Sequence, residues 1–221
     1  MRLVTYSSTD HQTHAGLVDS GVILDIDETL KWLNLKPISS AKPIEILEVI
    51  QDQATFLPLL QRILAAKKEN KLPEKLLKPE TQVKLHSPIP RPLSMRDGYA
   101  FRQHVEAARR NRGVPMIPEF DHFPVFYFTN HLAVTGPGEI AVQKLAREKL
   151  DFELEVAIVV GKQCRNVSAA DADSYIFGYM VMNDWSARAL QMEEMKLNLG
   201  PAKGKDFATS LGPYLVTRDE L

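Results

Sequence analysis

An α+β fold rich in β-strand, with a small N-terminal lobe ahead of a larger mixed domain, is the architecture this 221-residue sequence predicts. Three observations carry it. Short apolar runs bounded by turn residues recur near the N-terminus and again between residues 151 and 182. One stretch, 44–66, places apolar residues at helical spacing, and a charged connector follows it.

In order along the chain, Leu3-Val-Thr-Tyr6 and Gly21-Val-Ile-Leu24 sit between turn residues and read as strands of the small lobe. Asp25 and Asp27, one apolar residue apart, read as solvated surface by the ordinary preference of aspartate, as do His11 and His14. Ile44, Leu47, Ile50, Ala54, Leu57, Leu60 and Leu64 share one helical face, which predicts a helix over 44–66. The connector, residues 67–75, carries few apolar residues, and the boundary falls between 70 and 85: the lobe is 1–80 and the mixed domain 81–221. From Arg91 the chain reads as a loop entering a helix that Gly113 closes. Residues 151–160 end in Val156, Ala157, Ile158, Val159 and Val160, a strand expected to lie under other structure. A further strand over 175–182 leads into a helix expected from Trp185 to about Leu197.

Composition excludes several classes of function. With 27 basic and 28 acidic residues the chain has no net field that would favour nucleic acid or a membrane surface. The single cysteine, Cys164, has no partner for an internal disulfide and is a bystander. Residues 1–15 show no apolar leader core, and no apolar run approaches a membrane span, so the expected setting is the cytoplasm.

The chemistry concentrates in the second half. Glu153 and Glu155 alternate with Leu154, so on a strand they point the same way, with Cα atoms about 6.6 Å apart. Carboxylates in a buried strand need a cationic partner or a metal ion. Asp184 follows the second strand at its junction with a helix, where capping of the helix N-terminus accounts for an aspartate as well as a ligand role does. Arg188 and Gln191 continue its face at helical spacing. Asp97 and His104 are seven residues apart, about 10 Å along a helix, a separation that suits one ligand and a more remote base.

These residues occur within Arg96-Asp97-Gly-Tyr99 with His104, Pro124-Val-Phe-Tyr127, Asp151-Phe-Glu153-Leu-Glu155, Met182-Asn-Asp184-Trp-Ser-Ala-Arg188, Gln191, Gly200-Pro-Ala-Lys-Gly204-Lys205-Asp-Phe-Ala-Thr209 and Leu211-Gly-Pro213. In that order, over residues 88–221, the chain resembles the fumarylacetoacetate hydrolase family. The resemblance implies a fumarylacetoacetase-like mixed β-roll for the catalytic domain. It implies Asp97, Glu153, Glu155 and Asp184 as carboxylate ligands of a divalent metal, His104 as general base, and Lys205 beside the metal and the developing negative charge. Tyr99, Arg112, Tyr127, Arg188, Gln191 and Thr209 are then substrate contacts. All-oxygen ligands suit Mg²⁺, or Mn²⁺ or Ca²⁺, better than zinc.

The activity so implied is hydrolysis of a carbon–carbon bond in a β-diketo or acylpyruvate-type acid, as in aromatic amino acid catabolism, with His104 activating water against a metal-polarised carbonyl. An isomerase or decarboxylase of 2-oxo acids, and a non-catalytic metal-binding relic, stay open beside it. Two departures from the family pattern stand out. Ala189 occupies a position that is usually aspartate, and Leu221 ends the sequence where relatives continue. The catalytic domain is therefore expected to be incomplete, and the partners are expected to be a small diketo acid and a second subunit in a homodimer, or a separate C-terminal fragment.

Overall fold

The computed structural model describes residues 1–8, 12–35 and 42–221; His11 lies outside them. The apolar residues around Leu3 form β1 (Arg2–Ser7), which pairs antiparallel with β2 (Thr13–Asp19), and β2 with β3 (Val22–Asp25). Asp25 then caps α1 (Ile26–Trp32) by accepting a hydrogen bond from the Glu28 amide at 2.8 Å. The reading of Asp25 and Asp27 as solvated is overturned: both are buried, Asp25 only 1 % exposed. Asp25 also accepts from the Tyr6 hydroxyl at 2.8 Å and lies 3.1 Å from Nδ1 of His14, so His14 faces a buried carboxylate rather than open solvent.

The helix expected over 44–66 is two helices, α2 (Ile46–Gln51) and α3 (Gln53–Lys68). Asp52 leaves helical geometry at φ −120° and ψ 61°, and its side chain caps α3 at the Thr55 amide, 3.2 Å away. The break shifts the helical phase. Phe56, Leu60 and Ile63 become the buried face of α3, while Ala54 is exposed.

The remaining strands are β4 (Leu77–Pro79), β5 (Lys84–Leu85), β6 (Arg96–Asp97), β7 (Tyr127–Phe128), β8 (Val134–Thr135), β9 (Leu150–Asp151), β10 (Leu154–Val160), β11 (Ile176–Asp184), β12 (Ser186–Ala187), β13 (Thr209–Leu211) and β14 (Leu215–Thr217). Helices α4 (Arg102–Asn111), α5 (Ala169–Ala172) and α6 (Arg188–Met195) connect them. One large sheet runs β4-β3-β2-β1-β14-β11-β13-β8, with β10 added to β11 and β5 to β1. Its pairings are antiparallel except β13 with β8. Two short pairs stand apart, β6 with β7 and β9 with β12. The architecture is mixed and sheet-rich, as expected.

A single large apolar cluster joins Leu3, Leu17 and Leu24 of the N-terminal strands to Phe56, Leu60 and Ile63 of α3 and to Phe177, Met180 and Met182 of β11. Ala157 and Val159 of β10 pack against it from one face of that strand. The opposite face does not lie under other structure: Leu154, Val156, Ile158 and Val160 are 57–75 % exposed. Helix α4 ends as expected, with Gly113 at φ +70°, a conformation that a residue without Cβ adopts without strain. The last helix begins later than expected, because β12 intervenes between Asp184 and Arg188, so Asp184 closes a strand and caps no helix. Among the described residues no helix is long and apolar enough to cross a membrane.

Candidate metal and substrate site

Strand alternation and one long strand assemble the site. Glu155 shares the inward face of β10 with Ala157 and Val159, and β10 runs along β11 with Glu155 opposite Met182. Asp184 ends β11 in register with Thr209 of β13, and both side chains are buried. Asp97 arrives from outside the large sheet on β6, opposite Tyr127 of β7. The short β6–β7 pair thus delivers two residues of the site together.

Ligand oxygens of Asp97, Glu155 and Asp184 lie within 4.8 Å of one another. Oδ2 of Asp97 and Oδ1 of Asp184 are buried without a hydrogen-bond partner among the described residues. Unpartnered buried carboxylate oxygens are costly, and three acidic groups at this separation repel one another. Burial, and then the charge of Asp184, push Asp97 up to about 6. Burial, and then the charges of Asp97 and Asp184, push Glu155 up to about 8. Burial also raises Asp184, against the opposing effect of Lys205.

The cation expected opposite Glu153 comes from the chain itself. Lys205, 4 % exposed, donates from Nζ to Oε2 of Glu153 and Oδ2 of Asp184, both at 2.5 Å. Arg188 reaches the other oxygen of Glu153 through Nη2 at 2.7 Å, Asp151 through Nε at 2.9 Å, and Oε1 of Gln191 through Nη1 at 3.0 Å. Burial opposes the charge on Glu153, but hydrogen bonds from Lys205 and Arg188 outweigh it and leave its pKa lowered. Tyr127 donates to Oδ2 of Asp184 at 2.7 Å, and burial together with that carboxylate raises its phenol. Gly204 holds the Lys205 loop against α6: a Cβ there would come within 2.8 Å of Cβ of Gln191. Beside Lys205 opens a cleft of about 300 Å³ lined by Tyr127, Thr129, Asn130, Pro201, Ala202 and Asp206.

The donor set fits a hard divalent cation. It is made of carboxylate oxygens alone, two of them lack any other partner, and the pKa values of Asp97 and Glu155 are raised in a way that a dication would reverse. Asp97, Glu155 and Asp184 would hold it. Glu153, the fourth expected ligand, is paired with Arg188 at 2.7 Å and Lys205 at 2.5 Å.

Of the remaining expected residues, Tyr127, Lys205, Arg188, Gln191 and Thr209 meet in this network or line its strands. Tyr99, His104 and Arg112 do not hydrogen-bond to it. His104 is exposed on the first turn of α4, its ring 6.4 Å from that of Tyr99, which in turn lies 6.4 Å from the Phe120 ring. Arg112 is exposed and donates to the Ala108 carbonyl of its own helix.

Three contributors went unread in the sequence. Asp151 orients Arg188, Asn183 accepts the Glu153 amide through Oδ1 at 3.2 Å, and Asn130 donates to the Asp206 carbonyl at 2.9 Å. Asp151 continues the i, i+2 acidic spacing of Glu153 and Glu155, a signal that was present. Asn130 and Asn183 had none, because their partners are backbone groups.

The family described as fumarylacetoacetate (FAA) hydrolase C-terminal matches residues 94–221. An oxaloacetate tautomerase of Bacillus subtilis is 29 % identical over 210 residues, covering 93 % of this chain and 66 % of that protein. A fumarylacetoacetase of Oryza sativa subsp. japonica is 32 % identical over 190 residues, covering 73 % and 43 %. The chain thus spans less than two thirds of the length of either relative. Among solved structures, maleylpyruvate hydrolase from Sphingobium sp. SYK-6, in complex with manganese(II) and pyruvate, superposes with a TM-score of 0.64 at 22 % identity, over 100 % of this chain and 69 % of that one. A fumarylacetoacetate hydrolase from Exiguobacterium antarcticum gives 0.67 at 20 %, over 100 % and 68 %. At such identities the superpositions establish the fold.

Proposed function

The chain belongs to the fumarylacetoacetate hydrolase family, and from that premise we propose that it is a divalent-cation-dependent enzyme hydrolysing a carbon–carbon bond in a small β-diketo or acylpyruvate-type acid. The observation that carries the reading is the cluster of Asp97, Glu155 and Asp184, with two buried oxygens that nothing else satisfies. A cation held by these residues supplies electrophilic polarisation of a substrate keto oxygen. The reading takes Mg²⁺ as that cation, with Mn²⁺ or Ca²⁺ as substitutes, because hard ions prefer such oxygens.

The chain's own groups supply the rest. Lys205, at the rim of the cleft, places an ammonium where negative charge develops on a substrate oxygen, and Gln191, held by Arg188, offers an amide to the same region. Asn130 and Thr129 line the cleft wall and bind polar substrate atoms. His104 takes a proton from the attacking water and returns it to the departing carbon. It stands exposed on α4, open to an incoming substrate. The remaining assignments of this reading are Tyr99 and Arg112 as substrate contacts, a cytoplasmic setting in aromatic amino acid catabolism, and a homodimeric assembly.

A second reading is tautomerisation of a 2-oxo acid, favoured by the match to the Bacillus tautomerase over nearly the whole chain. It needs only proton movement at a polarised keto group, with Lys205 and Tyr127 already at the carboxylates. Incubation of the purified chain with Mg²⁺ or Mn²⁺ and either fumarylpyruvate or oxaloacetate separates the readings. Two acid products by mass spectrometry mean hydrolysis, and enol–keto exchange without cleavage means tautomerisation. Release of CO₂ means decarboxylation, and no change in either substrate sinks the enzymatic reading.

A further inference from the structure

Lys205 brings a buried ammonium to the site, yet the loop that carries it, residues 200–206, belongs to no helix or strand. Its position is set from α6. Oε2 of Glu194, in the last turn of that helix, accepts from the backbone amides of Ala202 and Gly204, both at 3.1 Å. At the head of the same helix the Ala187 amide donates to the Gly204 carbonyl at 2.8 Å. Between these two ties Gly204 lies against Gln191, with no room for a Cβ. The Ala202 carbonyl then accepts from the Lys205 and Asp206 amides, both at 2.8 Å, which turns the chain and sends the lysine toward Glu153 and Asp184.

We propose that Glu194 is a positioning residue: by holding the Ala202 and Gly204 amides it fixes the Lys205 ammonium between Glu153 and Asp184. Its carboxylate does not serve the helix it stands on, because a negative charge in the last turn opposes the negative end of the helix dipole. The neighbouring Glu193 is matched by Lys196 at 2.7 Å, whereas Glu194 turns to the two loop amides. Bonds from amides to an ionised acceptor are stronger than neutral ones, so the tie is well suited to hold an irregular loop. Ala187 and Asn130 bind carbonyls of the loop, at Gly204 and Asp206, and neither replaces Glu194 at the amides. Helix α6 thereby presents three groups as one unit: Arg188, Gln191 and, through Glu194, Lys205. The inference rests on the proposed function, in which that ammonium opposes negative charge developing on a substrate oxygen.

The test is reductive methylation of lysines in the full chain, in EDTA and mapped by mass spectrometry, on wild type, Glu194→Ala and Glu194→Gln. Lys203, exposed in the same loop, reports access of the reagent, and Lys67 on α3, bound to Asp19 at 2.6 Å, reports general loosening. In Glu194→Ala, Lys205 should be methylated roughly tenfold to a hundredfold faster relative to Lys203, the range that hydrogen bonds to a charged group allow, with Lys67 unchanged. Glu194→Gln keeps a side-chain oxygen for the same two donors and should stay near wild type. For whichever substrate the wild type accepts, Glu194→Ala should lower kcat with KM nearly unchanged, because the ammonium acts on charge that develops in the transition state. Equal protection of Lys205 in wild type and Glu194→Ala overturns the inference. So does a rise shared by Lys67, a Glu194→Gln chain that behaves like Glu194→Ala, or a higher KM at unchanged kcat. A wild type that turns over neither substrate, with Lys205 released only in Glu194→Ala, removes the enzymatic reading and leaves the positioning role standing.

Discussion

Replacing Lys205 with methionine keeps the length and apolar stem of the side chain and removes one ammonium group that two carboxylates share. The structure sets the size of the effect. Lys205 is 4 % exposed and Asp184 1 % exposed, and Nζ lies 2.5 Å from both Asp184 and Glu153. Glu153 keeps Arg188, but among the described residues Asp184 keeps only the Tyr127 hydroxyl. Removing one partner of a buried ion pair costs about 3–5 kcal/mol, because the charge left behind is uncompensated. Asp184 can escape part of that cost by taking a proton, so the loss should be larger at pH 8 than at pH 5. In a chain of this size each kcal/mol lowers Tm by about 2–4 °C, giving a drop of roughly 6–20 °C. Urea melts and thermal melts in EDTA measure it. Adding millimolar Mn²⁺ should restore more stability to the variant than to the wild type, because a dication replaces the missing positive charge beside Asp184. A variant within about 1 kcal/mol of wild type in EDTA, a difference far below the buried-pair range, would refute the view that Lys205 neutralises these carboxylates.

Three further outcomes follow from the same geometry. Asp97 and Glu155, at about 6 and about 8 in the folded chain, hold protons that the unfolded chain releases nearer pH 4. Metal-free stability should therefore fall as pH rises from about 4 to 8, and cation affinity, which needs the protons gone, should rise over the same window; calorimetric melts and Mn²⁺ titrations across pH check both. Asp97→Asn should weaken Mn²⁺ binding by more than the roughly 10–100-fold that follows loss of an outer-shell partner, and His104→Ala should leave binding unchanged while slowing turnover by about 10²–10⁴-fold. Asp25→Ala, which removes the cap of α1 and strands the buried Tyr6 hydroxyl, should cost about 2–4 kcal/mol in urea unfolding without altering cation affinity.

What the sequence revealed and what it hid divide along one physical line. Period-two alternation is local, so the common orientation of Glu153 and Glu155 and the inward side of β10 are legible in the residue pattern alone. Composition at a helix end is also local, and Gly113 marks the close of α4 correctly. Identity of a partner across the chain is not local. Asp25 looks like surface because nothing nearby shows that Tyr6 and His14 converge on it from two other strands. The break at Asp52 is hidden because apolar residues on either side fit one helical register nearly as well as two, and only the capping bond to Thr55 decides between them. The outer face of β10 is hidden for a related reason: Leu154, Val156, Ile158 and Val160 are as apolar as core, and apolarity records that a surface prefers to be covered, not what covers it. The same limit applies inside the site. Four acidic residues of one motif set look equivalent, yet Arg188 and Lys205 both pair with Glu153, while oxygens of Asp97, Glu155 and Asp184 lie within 4.8 Å of one another; the proposed division is three carboxylates for a cation and one that holds the cationic side chains. On that division, Glu153→Gln should release Lys205 and Arg188 and disturb the positions of Gln191 and Asp184, while leaving Asp97, Glu155 and Asp184 as the carboxylate set. Its Mn²⁺ affinity, read by titration, should therefore fall less than that of Asp97→Asn.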